Sequence, residues 1–310
     1  MSLKDIKGKI KSVQRTRKVT KAMEAVSAVK MRKSQTRAIH GRPYAKASVS
    51  VLKQLTSSLG AVNHPLTTER DMKRVAMIVV TSDKGLCGIL NTNILKTCDK
   101  KIHHEFVPAG LEKKDVDIFA FGRKSSEHYK RHGFTVVQTF ENVSDDVVVS
   151  DIQSIADQVS AAFIAGTYDR IYVAYTNFKS TFEQSPVIHQ LLPLDVAVLN
   201  EVVQGIIPEK GSGAAVSEEK VSPKFYTIEP SPEEVLKTLI PKLVGVVVYH
   251  GLLESKASEH SARMVAMKNA SDKSKDLSKA LNQQFNKARQ SVITREISEI
   301  VGGIEAMATS

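Results

Sequence analysis

The last eighty residues of this chain keep a helical apolar period almost without interruption, and that constrains the fold more than anything else. Ser231-Pro-Glu-Glu234 is a start signal: a Ser cap, Pro at the first helical position and acids in the first turn. Leu236, Leu239, Ile240, Leu243, Val246 and Val247 then form a broad stripe suited to packing on a sheet. A narrower seam follows at Leu277, Leu281, Phe285, Ala288 and Val292, continued by Ile293, Ile297, Ile300 and Ile304. About seventy helical residues span on the order of 100 Å. No compact domain has that diameter, so the helix must leave its domain, and a coiled-coil partner must cover its stripe.

The N-terminus supplies the partner. Residues 3 to about 58 read as helix, with Leu3, Ile6, Ile10 and Val13 at steps of three and four. Arg17 then sits where an apolar residue is due. The stripe resumes at Val19, Met23, Val26 and Val29, which predicts a slip of phase. Ala22, Ala25, Ser27 and Ala28 leave room for a close neighbour. Gly41-Arg42-Pro43 predicts a bend or break. Two helices joined through a closed domain with nearby ends run antiparallel.

The middle changes period. Residues 75–81, 117–122, 134–140, 170–176 and 186–193 read as strands, separated by helices at 89–103, up to His132, and 148–165. Strands alternating with helices predict a largely parallel, Rossmann-like sheet. The fold class is therefore α/β: a long antiparallel two-helix coiled coil formed by the N- and C-terminal helices, plus a central Rossmann-like α/β domain. The segments expected are 1–60, 70–230 with an exposed loop at about 200–224, and 231–306.

Charge is unevenly placed. Residues 1–42 hold 13 Lys/Arg against 2 Asp/Glu, a balance equal to the chain's whole net charge of +11. A basic arm on a neutral body predicts an acidic partner surface: nucleic acid, anionic lipid or an acidic protein collar. The other reading is a solvated helix face. A single-strand binder would want aromatics in the arm, and none precedes Tyr44. A membrane-surface helix would want Leu, Phe and Trp where this arm has Ala and Val.

Enzymatic signatures are weak. There is no Gly-x4-Gly-Lys-Ser/Thr cradle, and Gly85-Leu-Cys-Gly88 lacks dinucleotide spacing, so it reads as a tight strand-to-helix turn. Cys87 there reads as buried filler. Cys87 and Cys98 are the only cysteines, too few for a disulfide framework. His128 and His132, four apart, have no third ligand by spacing and read as a surface pair. No cofactor, metal or catalytic residue is expected. No run of 18 apolar residues suggests a bilayer span.

Four blocks carry a resemblance over nearly the whole length. They are IKSVQRTRKVTKAMEAVSAVKMRK at 10–33, DKGLCGILN at 83–91, SEHSARMVAMK at 258–268 and NKARQSVITREISEIVGG at 286–303. In this order the chain resembles the gamma subunit of the rotary F-type ATP synthase, bacterial form. The resemblance implies a non-catalytic central-stalk rotor inside a ring of alternating alpha and beta subunits, with the epsilon subunit and the membrane c-ring as further partners. It implies proton-driven rotation, no nucleic acid, and a peripheral place on the cytoplasmic face of the bacterial plasma membrane. If it fails, the residues leave a non-catalytic coiled-coil protein binding an acidic partner through its arm.

Residues carry over by position. Met23 matches the position facing the acidic collar loop of the beta subunits, with Lys18, Lys21, Lys30 and Arg32 as matching positive charge. Arg263 lies on the opposing helix near that level. Arg289 and Gln290 match a pair that hydrogen-bonds a beta-subunit loop, and Thr294, Glu296 and Glu299 match polar positions beyond. Each also reads simply as a surface residue of a coiled coil. The 200–224 connection looks longer than in familiar bacterial members and contains no Cys, so the plant thiol switch is not implied.

Overall fold

The computed structural model describes residues 2–59, 64–145, 147, 149–195, 229 and 231–308. The 200–224 loop lies outside these residues. Two compact units emerge, one of Met1–Val26 with Met264–Ser310 and one of Ser27–Arg263.

The larger unit is built on a five-stranded sheet. Its strands are β1 (Val75–Val80), β2 (Val116–Phe121), β3 (Thr135–Phe140), β4 (Arg170–Phe178) and β5 (Gln184–Leu192), in the order β3-β2-β1-β4-β5. The helices of the chain are α1 (Leu3–Leu59), α2 (Leu90–Lys101), α3 (Arg123–Arg131), α4 (Val149–Ile164) and α5 (Pro232–Ala308). A π-helical turn, Ile102–Phe106, extends α2. β1 pairs in parallel with β2 and β4, and β2 with β3. β5 pairs antiparallel to β4, because the short Lys179–Glu183 reversal can only turn the chain back.

β1 is buried at every position, which is why its sequence is an unbroken apolar run rather than an alternation. On one face Val75, Met77 and Val79 meet Ile94, Leu95 and Cys98 of α2 and Tyr129 of α3. On the other, Ala76, Ile78 and Val80 meet Ile152, Ile155 and Val159 of α4 and Leu236, Ile240, Leu243, Val247 and Leu252 of α5. One 18-residue window of α5 reaches a mean hydropathy of 1.4, but 56% of it is buried inside the protein, as a core helix requires. Pro186 lies within β5, opposite Thr176, rather than at its end. β5 is an edge strand, where a missing N–H is tolerated. Ser231 caps α5 as expected, accepting from the Glu234 amide at 3.3 Å.

No break occurs at Gly41-Arg42-Pro43: α1 is one helix of 57 residues. One lost backbone bond does not end a helix held on both sides, here by buried Ala38 before and by Val51, packed on the sheet core, after. α5 likewise carries Pro241 inside it.

In the smaller unit, Ile6, Ile10 and Leu281 are buried together, with Val13, Phe285 and Ala288 against them. Farther along α1, residues 14–22 lie beside Ser278. Rising numbers on α1 meet falling numbers on α5, so the pair is antiparallel. The predicted phase slip is absent. The inward positions of α1 continue as Thr20, Ser27, Met31, Ser34 and Ala38, all on the heptad begun by Ile6, Ile10 and Val13. Val19, Val26 and Val29 are more than half exposed. Apart from Met31 the seam changes from large apolar to small side chains, while the larger apolar residues of this stretch, the valines, lie off it. The same correction applies on α5: Leu277 is exposed, and the seam uses Ser278. Steps of four from Leu277 to Leu281 to Phe285 drift off a 3.5-residue repeat. Ile293, Ile297, Ile300 and Ile304 are exposed rather than continuing the seam, because α1 begins at Leu3 and its inward residues reach only Ala288.

Candidate partner-binding surface

Arg17 occupies an inward heptad position that its length and charge prevent it from filling. The two helices therefore leave a cleft of about 540 Å³ lined by Gln14, Arg17, Lys18, Lys21 and Ala22 of α1 and Ser278 of α5. Three cations on one and a half turns face it, with no acid in its lining. Lys21 is drawn sideways to Glu24 at 3.0 Å, an exposed pair of little net energy that leaves the lysine available. The cleft can take a carboxylate-bearing segment. Of the residues singled out by position, it brings Lys18 and Lys21 together; Met23 is half-buried beside them in sequence. Arg17 lines the cleft with them, although in the sequence it shows only as a fault in the stripe.

Two of the singled-out basic residues are engaged inside the larger unit. Lys30 pairs with Asp145 at 2.7 Å. Arg263 is buried: its guanidinium donates to the carbonyls of Lys84 and Gly85 and meets Glu259 Oε1 at 2.8 Å. It thereby fastens the 83–88 turn. Asp83 fastens the other side, accepting from the amides of Arg123 and Asn142, both at 3.0 Å. In this turn two carbonyls face an arginine, the reverse of a phosphate cradle of N–H groups. Cys87 is buried, 3.3 Å from Asn91 Nδ2. Arg32 is exposed.

The sequence matches the family described as ATP synthase over residues 2–307. It is 39% identical over 306 residues to the ATP synthase gamma chain of Heliobacterium modesticaldum, covering 98% of this chain and 99% of that one. The chain belongs to the ATP synthase gamma chain family. The gamma chain of Pelotomaculum thermopropionicum is 38% identical, covering 99% of each. Among solved structures, the fold is similar to a chain of the Tetrahymena thermophila mitochondrial ATP synthase central stalk and c-ring (TM-score 0.58, 24% identity, 82% of this chain and 99% of that chain). It is also similar to a chain of the Euglena gracilis mitochondrial ATP synthase rotor (TM-score 0.64, 15% identity, 94% and 98%).

The gamma chain is a non-catalytic subunit of a rotary, membrane-associated ATP synthase, and the remaining polar groups read accordingly. His128 is held by Asp99 at 3.1 Å and stacks near His132, with ring centroids 4.3 Å apart. Among the described residues no three His, Cys, Asp or Glu side chains converge as a metal site. At the end of α5, Arg289, Gln290, Thr294, Glu296 and Glu299 are all exposed. Thr294 donates back to the Gln290 carbonyl at 2.9 Å, and Glu299 meets Arg295 at 3.5 Å, so local bonds do little to occupy this face. The exposed isoleucines share this end of the helix, so it presents polar and apolar groups together.

Proposed function

We propose that this gamma chain is the central-stalk rotor of a proton-translocating ATP synthase, at the cytoplasmic face of a bacterial plasma membrane. Its partners are the alpha and beta subunits around the paired helices, the epsilon subunit and the membrane c-ring. The observation that carries the reading is the cleft of Arg17, Lys18 and Lys21 on one side of the two-helix seam. A single shaft with such a cleft at one place on its surface cannot meet three equivalent subunits identically. Each subunit pair meets a different face and is biased toward a different nucleotide affinity. That is population shift by differential contact, and turning the shaft moves each pair through the three states in turn.

Lys18, Lys21, Met23 and Arg32 would serve the acidic collar of the beta subunits, and Arg17 joins them. Arg289 and Gln290, with Thr294, Glu296 and Glu299 beyond, would engage the ring farther along α5. The apolar Ile293, Ile297, Ile300 and Ile304 suit a nonpolar lining there.

The test is reconstitution. The chain alone should hydrolyse no ATP, and with alpha and beta subunits it should assemble into an active ATPase. Intrinsic ATPase or failure to assemble sinks the rotor reading. Arg289→Ala with Gln290→Ala should lower turnover about thirtyfold, since two hydrogen bonds at about 1 kcal/mol each come to about 2 kcal/mol. Normal turnover would make those two residues merely structural.

A further inference from the structure

The connection between β3 and α4 carries one residue on which cationic groups of two distant helices converge. Asp145 Oδ2 takes Lys30 Nζ of α1 at 2.7 Å. Its Oδ1 takes His260 Nε2 of α5 at 2.9 Å, with Lys256 Nζ at 3.8 Å. Its carbonyl takes Arg37 Nη1 of α1 at 2.5 Å. Lys256 also donates to the Val143 carbonyl, two residues earlier, at 2.8 Å. All of these residues belong to the Ser27–Arg263 unit.

The spacing matters. Lys30 and Arg37 are seven apart, two turns on one face of α1; Lys256 and His260 are four apart, one turn on one face of α5. Each helix is thus held at two points along its axis by a single short stretch of chain. Turning or sliding either helix breaks at least one of them. Apart from Met31, most of the buried side chains at this level are small: Ser27, Ser34 and Ala38 on α1, and Ser255, Ala257, Ser258 and Ser261 on α5. Small side chains interdigitate shallowly and resist slippage poorly, so a directional lock has something to add. Burial raises the Asp145 carboxyl, but hydrogen bonds from Lys30 and His260 and the charges of His260 and Lys256 hold it at about 2. Burial lowers His260 despite its bond to Asp145, so at neutral pH His260 serves as a neutral hydrogen-bond donor while Lys30 and Lys256 supply the charge.

We propose that Asp145 is a torsional lock between the sheet and the two helices, and that Lys30 is a positioning residue of this lock rather than a contact to a partner subunit. The inference rests on the rotor reading, because a lock against turning has a use only where torque passes.

The experiment uses the assembled complex with its ring of alpha and beta subunits immobilised. A probe on the α/β unit reports its angular spread during ATP-waiting pauses. Asp145→Asn should widen that spread about twofold, as a partly exposed ion-pair cluster allows, while the ATPase rate holds. Lys30→Met should widen it less, and Lys30→Arg should restore the parental width. Lys30 is half-exposed, so its variants stay folded even if Asp145→Asn does not. An unchanged spread in folded, turning complexes overturns the lock. So does Lys30→Met that weakens assembly with the ring while leaving the spread alone, since that makes Lys30 a partner contact. Failure of the parent chain to assemble defeats the rotor reading instead.

Discussion

The Glu254 carboxylate accepts a hydrogen bond from the Phe178 amide at 2.8 Å, tying α5 to the end of β4 inside the larger unit. Ser258 and Ser261 extend this tie, donating to the carbonyls of Thr176 at 3.0 Å and Thr181 at 2.8 Å. Burial raises Glu254 to about 7, although the Phe178 bond opposes it. One turn earlier, burial and the nearby His189 depress His250 to about 3. Tyr175 packs against His250. Between the ordinary Glu value of 4.5 and about 7, the folded chain binds the Glu254 proton more tightly, so raising pH there costs stability. Between about 3 and the ordinary His value of 6.5, the unfolded chain takes the His250 proton, so raising pH adds stability. The two oppose each other from 4.5 to 6.5. Glu254→Gln removes one of them. Its stability should climb with pH up to 6.5 and level off, standing on the order of 3 kcal/mol above the parent at pH 8. Denaturant titrations across pH 4 to 8 check this, and identical profiles for parent and variant refute it.

Gly122 sits at φ +89 where β2 ends, and an added Cβ would lie 2.2 Å from the Thr81 carbonyl oxygen. That oxygen is backbone and cannot swing away. Gly122→Ala should cost about 3 kcal/mol or more, read as a drop in the urea midpoint. A loss under about 0.5 kcal/mol would mean the β1 end yields freely.

Ser34 is 1% exposed, and its hydroxyl finds no partner among the described residues. Ser34→Ala should therefore be neutral or stabilising by about 1 kcal/mol. Ser34→Leu should destabilise by about 1–3 kcal/mol, because the seam there has no room. Thermal melts of both variants decide it, and a stabilising leucine would contradict the close approach inferred here.

Ile6 and Leu281 are buried together in the antiparallel seam of the smaller unit. Either one replaced by Ala should cost about 2 kcal/mol of local stability, measured by amide exchange near the start of α1. The double variant should cost less than the two losses added, by about 0.5 kcal/mol or more. Additive losses would show that the two side chains do not share a contact.

The readability of this protein varied with the chemistry of each element. β1 is legible because a strand buried on both faces is almost wholly apolar, and β2 keeps that pattern apart from the buried Asp117, which pairs with Arg74. The start of α5 is legible from the Ser231 cap, and the start of the seam from apolar residues at steps of three and four. Beyond Val13 the seam is not legible in the sequence, since Thr20, Ser27 and Ser34 look like surface residues until a neighbouring backbone comes close enough to need them. Arg17 is equally opaque in the sequence: an arginine on a heptad position makes sense only with the cleft around it.

Local periodicity and composition by themselves determined that two very long helices flank a largely parallel sheet, and that the positive charge lies on the first of them. Both follow from short-range rules: 3.6 against 2 residues per repeat, and charge counted along the chain. Only the tertiary structure decided that Lys30 faces Asp145, 115 positions away, that Arg263 clamps the 83–88 turn, and that Glu254 holds the Phe178 amide. These pairings depend on which faces meet after the sheet has closed, and no repeat along the chain encodes a distance across it.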